Sequence, residues 1–429
     1  MLPLKTIFYL ALFFPAILGT IVYHPVIGIL AYLFTYNINP LGHWWAHYLP
    51  SWAVRYSLIL ATTTALGILI QSSKVRFTRF LESQEILLLL FLALIWISIP
   101  LGYGTEFSGS NVVKMTKVVI ILMMATHLIT DLRRYEFMLW VLIFAALYLG
   151  IEAYSAPEWF FTTGRLDTGV GGSDFAEGNF LAAHFTMVLP FIGIMFLKGN
   201  WKTKSICVPS GVFALNGIIL CRSRGIFLAL VVALGAAVVL APRLAKKKIY
   251  LGVILALLGT YILIDPGFWT RMEQIEFDTA QMDKASLTRV DIWKAALDMA
   301  SDHPLGIGEG NFKSVIGQYN PELAWRDTHN TLLRCLTEVG IQGLIVLCML
   351  IANAFLMLRS VSNQIDHTQK REDYLWHLYG VKVAMISFLV AGLFITHTYV
   401  EEFYWLLMFP VFLKRSLENE TIEEVSVQT

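Results

Sequence analysis

The fold class that the sequence predicts is an all-α polytopic membrane protein, and three observations predict it. The first is composition: 56% of the 429 residues are hydrophobic types. The second is the scarcity of charge, 15% against about 25% in an ordinary soluble domain, with a mean hydropathy of +0.63. A soluble core of this size cannot hide so much apolar surface. At about 20 residues per crossing, the apolar runs allow roughly a dozen transmembrane helices. The third is the distribution of basic loops, taken up below. Together they exclude a soluble enzyme, a nucleic-acid-binding domain, a disordered chain and a disulfide scaffold. The net charge of +1 implies no polyanionic partner. Cys207, Cys221, Cys335 and Cys348 form no C-x-x-C pair and read as small apolar residues.

The elements follow in order. Apolar runs span 6–36, 54–72, 84–102, 113–130, 135–153, 178–197, 206–220, 225–241, 249–265, 341–358, 380–398 and 403–413. Lys5 precedes the first run with no small-residue cleavage site, so that run reads as a retained helix rather than a signal peptide. It is long for one upright helix and short for two. A hairpin turning at His24 and Pro25 puts the N-terminus outside, and a single crossing puts it inside. Basic clusters at 74–79, 133–134, 198–204, 243–248, 359–371 and 414–415 are each separated from the next by an even number of crossings. That is the alternation expected of cytoplasmic loops. Segments 103–112, 154–177, 221–224, 266–340 and 399–402 then lie on the opposite side.

Segment 266–340 is the one long hydrophilic stretch, too long for structureless loop. It divides the chain into an N-terminal transmembrane part (1–265), a periplasmic loop domain (266–340) and C-terminal transmembrane helices with a cytoplasmic tail (341–429). Leu287, Val290, Trp293, Ala296, Leu297 and Ala300 recur at helical spacing, with Ser286 as N-cap and His303 and Pro304 as the stop. Gly306, Gly308 and Gly310 then make an irregular turn. No strand–helix pair surrounds them, so they form no dinucleotide loop.

Several residues could carry chemistry. Arg222 and Arg224 sit in a very short turn on the side where the alternation predicts no basic residues. Interfacial charge is functional by default, and a guanidinium fork matches phosphate oxygens. Two arginines snorkelling to headgroups is the bland alternative. Arg289 lies on the helix within 266–340, where a solvated or paired arginine is the plainer account. His329, just before the chain re-enters the membrane, has the residue type of a general base, with Asp327 placed to orient it. A histidine hydrogen-bonded into a helix start is the alternative. Arg165 and Asn179 lie in and after segment 154–177, with surface and capping roles as their plainer readings. His43 and His47 have metal-ligand spacing but no accompanying glutamate, and the tryptophans between them suggest an interfacial belt. The outer segments hold no clustered carboxylates for a divalent metal, so arginines must supply any positive charge for phosphates.

Four motifs carry a resemblance. They are S-R-G at 223–225, R-x-x-x-W at 289–293, D-x-P-L-G-x-G at 302–308, and H-N-T-L-L-x-x-L-x-E-x-G at 329–340. The set, strongest over about 160–350, resembles the bacterial O-antigen ligase and polymerase superfamily. The resemblance implies a multi-pass inner-membrane glycosyltransferase of the GT-C type whose active site faces the periplasm. Such enzymes pass a glycan from undecaprenyl pyrophosphate to an acceptor hydroxyl, which for the ligases belongs to lipid A-core. The reaction is inverting, with neither metal nor cofactor. Carried over by motif, His329 matches the general base and Arg224 and Arg289 match the pyrophosphate-binding arginines. Arg222 is a weaker match, with Arg165 beside it, and Asn179, Asp327, Asn330 and Glu338 are supporting residues. The Cys221 and Arg222 that precede Ser223 depart from the small or apolar residues of many members. Polymerisation of repeat units and glycan transfer to protein share the motif. A polyprenyl-glycan transporter is the competing class, and the scarcity of midplane charge argues against it. The expected partners are the lipid-linked donor, the lipid A-core acceptor and membrane lipids, with no nucleic acid.

Overall fold

A computed structural model describes residues 2–50, 52–73, 75, 81–243, 245–264, 266–272 and 284–428. The first apolar run divides in two. Helices α1 (Leu4–Val22) and α2 (Val26–Ile38) are joined where Pro25 cannot continue the ladder and His24 Nδ1 accepts from the Val26 amide at 3.1 Å. The run is therefore a hairpin. Its first residues lie beside the end of α6, where Lys5 pairs with Glu152.

Four further helices follow: α3 (Tyr56–Ile70), α4 (Ser83–Leu101), α5 (Val112–Leu128) and α6 (Leu132–Tyr154). Residues 40–48 form 3-10 turns rather than the helix that the His43/His47 spacing would need. The buried His43 donates from Nε2 to Ile38 O (2.9 Å) and stacks on Trp45. After α6, a small hairpin pairs β1 (Phe161–Thr162) with β2 (Arg165–Leu166) in antiparallel register. Then come α7 (Gly178–Lys198), α8 (Trp201–Cys221), α9 (Arg224–Val239) and α10 (Lys246–Leu263). The loop domain contributes α11 (Pro266–Met272), α12 (Lys284–Asp302) and α13 (Phe312–Tyr319). The chain closes with α14 (Thr331–Gln364), α15 (Arg371–Ala391) and α16 (Glu401–Gln428). Among the described residues, seven helices are long and apolar enough to cross a membrane, and α2, α3 and α9 belong to shorter apolar helices. This is a multi-pass helical membrane protein. Helix α12 already runs from Lys284, so Ser286 lies inside it rather than capping it. The basic cluster at 74–79 falls almost wholly outside the described residues.

The bundle has two chemically distinct ends. At one, Lys198 pairs with Glu136 (2.9 Å) and Asp373 (2.7 Å), Lys370 with Glu420 (2.7 Å), and Lys414 with Glu82 (2.6 Å). Members of the basic clusters at 133–134, 198–204, 359–371 and 414–415 collect there. At the other end the chain binds its own backbone: Tyr103 N donates to Ile307 O, Gly109 N to Glu309 O, and Thr331 N to Gly392 O. Segments 103–111, 155–177, 222–223, 266–272, 284–330 and 392–400 gather at this end.

Charge is also held inside the bundle. Glu85 and Arg415 are 0% and 4% exposed and pair at 2.6 Å, with Thr126 Oγ1 donating to Glu85 at 2.6 Å. His184 pairs with Glu402, and Lys114 with Asp174, whose Oδ2 accepts from Tyr36 Oη at 2.9 Å. Glu85, Lys114 and Glu402 sit in the first turns of their helices and Arg415 just past the apolar run 403–413, so the apolar runs conceal them.

The loop domain builds a small core of its own from Ile292, Ala296, Met299, Ile307, Phe312 and Ile316. Helix α14 begins ten residues before the apolar run 341–358 and bends at Gly340 (φ 83°, ψ −177°). Its first three turns carry Thr331, Arg334, Thr337 and Glu338, all buried against the loop domain rather than in lipid. Polar residues buried by protein lower the hydropathy without exposing the helix.

Candidate functional site

The site is built around the turn 392–398 between α15 and α16. Asn330 caps α14: its Oδ1 accepts from the Leu332 and Leu333 amides, both at 3.0 Å, and its Nδ2 donates to Leu393 O at 3.2 Å. Thr331 Oγ1 donates to Ile395 O (3.0 Å) and accepts from the His397 amide (2.9 Å). Thr328 Oγ1 meets Thr396 Oγ1 at 3.0 Å. The backbone between these anchors leaves His329 in the left-handed region, φ 46°. A non-glycine residue is held there only when its surroundings over-determine it.

Arg224 stands next to a residue that packs on the same turn. It is the first residue of α9, after Ser223 at the N-cap, and Gly225 packs on Phe394. A Cβ at position 225 would lie 2.5 Å from the Phe394 Cβ. Glycine in the S-R-G motif is thus the condition for α9 to start against this turn, and Arg224 sits at a helix N-terminus, which favours anions. Arg289 lies on α12 one turn before Trp293, whose Nε1 donates to Thr328 O at 3.0 Å. It is close enough to His329 to act on its charge. The elements that bear His329, Arg224 and Arg289 thus meet around one turn.

Arg222 is placed differently. It ends α8 in the left-handed conformation (φ 44°), and its guanidinium lies against two glycines. A Cβ at Gly164 would be 2.9 Å, and one at Gly267 2.6 Å, from its Nη1. It lies between the β-hairpin and the start of α11. Arg165 pairs with Asp167 at 2.7 Å, beside the end of α8. Asn179 is buried and donates to Glu177 Oε1 at 2.8 Å.

Asp327 is heavily engaged. Oδ1 accepts from Arg334 Nη1 (3.2 Å), Thr396 Oγ1 (3.0 Å) and Thr328 Oγ1 (3.3 Å), while Oδ2 pairs with Lys313 (3.1 Å). Burial alone would raise its carboxyl, but Arg334 and Lys313 outweigh it and hold it well below the ordinary carboxylate range. Glu338 takes the other side of Arg334 (2.9 Å) and accepts from the Phe312 amide (2.9 Å). Lys313, Asp327, Arg334 and Glu338 therefore form one chain of charge that ties α13 to α14. Burial, and after it the Arg289 guanidinium, pushes the His329 imidazole below its ordinary value, against the pull of Asp327 and Glu177. The ring is thus neutral at neutral pH, the form that can accept a proton. Beside Thr331, a cavity of ≈ 200 Å³ is lined by Leu332, Phe388, Leu393, His397 and Phe403.

The D-x-P-L-G-x-G motif supports the site from behind. Ile307 N donates to Thr337 O (2.8 Å), Gly308 N to Glu338 O (3.0 Å) and Ile341 N to Pro304 O (3.0 Å), so the glycine turn runs along the bend of α14. Gly306, Gly308 and Gly310 all have φ near +90°, which side-chain-bearing residues rarely adopt. Glu309 is buried behind them, where burial raises its carboxyl. Sequence reasoning missed Glu177, Lys313 and Arg334. An acidic residue just before an apolar run, as at 177, was the available signal for the first. The other two are spaced like ordinary solvated charges. Among the described residues, no group of three His, Cys, Asp or Glu side chains is placed to hold a metal ion.

An all-helical membrane bundle with a polar site at its loop-bearing end defines the class as a multi-pass membrane protein. Residues 209–348, the stretch that holds Arg224, Arg289 and His329, match the family described as O-antigen ligase. No curated protein matches the chain.

Proposed function

We propose that the chain is a bacterial O-antigen ligase of the GT-C type. It transfers a glycan from undecaprenyl pyrophosphate to a sugar hydroxyl of lipid A-core in lipopolysaccharide biosynthesis. The observation that carries this reading is the turn 392–398, where the elements that bear His329, Arg224 and Arg289 meet, in surroundings that favour the neutral form of the His329 ring. The acceptor oxygen attacks the sugar C1 while the C1–oxygen bond to pyrophosphate breaks on the opposite face, inverting the centre. His329 takes the hydroxyl proton. Arg224 and Arg289 stabilise the charge that develops on the departing pyrophosphate, without a metal. Holding both lipid-linked substrates along the bilayer supplies proximity.

In this reading the basic end of the bundle is cytoplasmic, by the positive-inside rule. The protein lies in the inner membrane, and segment 266–340 is a periplasmic domain. About a dozen helices cross, and the α1–α2 hairpin starts the chain in the periplasm. The test combines purified chain with lipid-linked glycan and lipid A-core in the presence of EDTA. Transfer without added metal is expected. Products lengthened on the lipid carrier would identify a polymerase, and transfer only to protein a protein O-oligosaccharyltransferase. Absence of any glycan transfer would overturn the reading.

A further inference from the structure

We propose that the groove between α1, α2 and α6 binds one phospholipid whose zwitterionic headgroup carries a primary ammonium, the class of phosphatidylethanolamine. The proposal goes beyond the glycan-transfer reading and does not rest on it.

A cavity of ≈ 800 Å³ runs between the three helices. One face of each lines it, at three- and four-residue spacing: Leu4 to Ala16 on α1, Ile27 to Ile38 on α2, and Val141 to Ile151 on α6. At about 1.5 Å per residue these faces run for roughly 15–18 Å. That is close to half of the roughly 30 Å hydrocarbon thickness, the depth of one leaflet. A spanning helix of a second copy, or a polyprenyl tail, is longer than the groove, whereas an acyl chain of one leaflet ends within it. The opposite face of α2 meets the start of α16. Tyr32 Oη donates to Glu401 at 3.1 Å, and Tyr36 Oη accepts from the Glu402 amide at 3.2 Å. The occupant therefore lies behind α2 and braces it against α16.

The mouth of the groove sets the headgroup. Among the described residues that line it, only Lys5 is charged, and it pairs with Glu152 across the ends of α1 and α6. The Lys5 side chain is 43% exposed, and its Nζ lies 5.9 Å from the centre of the Tyr148 ring. Trp45, at the same end, donates from Nε1 to Tyr148 Oη at 3.4 Å. Aromatic rings beside charge mark the headgroup level of a bilayer. An ammonium has three donors; Glu152 takes one from Lys5, and the others are free for a phosphate. Glu152 Oε2 has His43 Nδ1 at 3.7 Å, beyond hydrogen-bond reach, and can accept from a lipid ammonium. The pair is neutral as a whole. An anionic headgroup gains at Lys5 what it loses at Glu152, while a zwitterion meets both. A trimethylated ammonium has no proton to give Glu152.

The experiment delipidates the full chain and returns it to nanodiscs of equimolar phosphatidylethanolamine, phosphatidylglycerol and phosphatidylcholine. Retained lipids are counted by native mass spectrometry, and unfolding temperature is read alongside. One phosphatidylethanolamine should remain, enriched about fivefold over each competitor, and its return should raise the unfolding temperature. Glu152→Gln should move the preference to phosphatidylglycerol, because Lys5 then stands uncompensated. Lys5→Gln should lose phosphatidylethanolamine without gaining phosphatidylglycerol. Ala31→Phe and Ala16→Phe, on separate walls of the groove, should each expel the lipid. Wild-type retention of another lipid class, or of none, overturns the proposal. So does an unchanged preference in Glu152→Gln, or full retention in both phenylalanine variants. Should a phenylalanine variant fail to fold, the two glutamine variants at the rim still decide. No readout uses glycan transfer, so the functional reading stands or falls separately.

Discussion

His329 spends conformational energy to stand where it does. Its left-handed backbone costs about 1–2 kcal/mol relative to an ordinary φ, and two functions of one residue can be separated by that cost. His329→Gly and His329→Ala should both cut transfer by about 10²–10⁴-fold while donor binding persists, yet the glycine variant should unfold at a higher temperature. Equal unfolding temperatures would show that the turn carries no strain. His329→Gln should not rescue, because an amide cannot take the proton. Burial and Arg289 lower the pKa of the ring, so the active neutral form persists below the ordinary histidine range. Activity should therefore fall only when pH drops beneath that range, and a limb above it would contradict the assigned environment. The arginines divide in the same way. Arg224→Ala and Arg289→Ala should abolish transfer in a folded protein, with lysine a poor substitute because a point charge lacks the fork. Arg222→Ala should mainly lower the unfolding temperature, since that side chain packs between Gly164 and Gly267. Transfer assays paired with melting curves check all three. His329, Arg224 and Arg289 were legible in sequence because they sit in spaced motifs. Lys313 and Arg334 were not, because only folding brings them onto Asp327.

At the scale of the element, α14 is the instructive case. Hydropathy finds it from 341 and misses 331–340, because Arg334 and Glu338 neutralise each other inside protein and leave no apolar trace in sequence. The bend at Gly340 is where the polar and apolar portions join. A Cβ there would lie 2.4 Å from the Leu305 carbonyl carbon, and the backbone is left-handed. Gly340→Ala should therefore loosen the 305–308 turn from α14. Limited proteolysis should then cut within 266–330 faster than in the wild type, and unchanged cleavage would mean that the turn is held by other contacts. The α1–α2 hairpin shows the converse limit. Its length alone fitted one helix or two, and the outcome rests on His24 and Pro25 together with the docking of Lys5 on Glu152.

For the whole molecule, the alternation of basic loops was legible because it needs only spacing, and the described loops do separate to two ends. What spacing could not reveal is the charge within. Glu85→Gln would leave Arg415 buried without its ion pair, a loss of about 3–5 kcal/mol for a comparable buried pair. Its detergent melting curve should shift well below that of a surface change such as Lys202→Gln. A cysteine placed at position 248 should be unreactive to a membrane-impermeant reagent added to intact cells, and labelling there would invert the proposed orientation.

The 304–309 turn also governs how this protein can be recombined. Its backbone partners come from Tyr103 and Gly109 between α4 and α5, and from Thr337, Glu338 and Ile341 in α14, two regions more than 200 positions apart. Exchanging segment 266–330 alone with that of a relative would seat the grafted turn on neighbours from a different chain. A working chimera has to carry 98–111 and 331–341 along with the loop, so the unit of exchange here is two separated segments, 98–111 and 266–341.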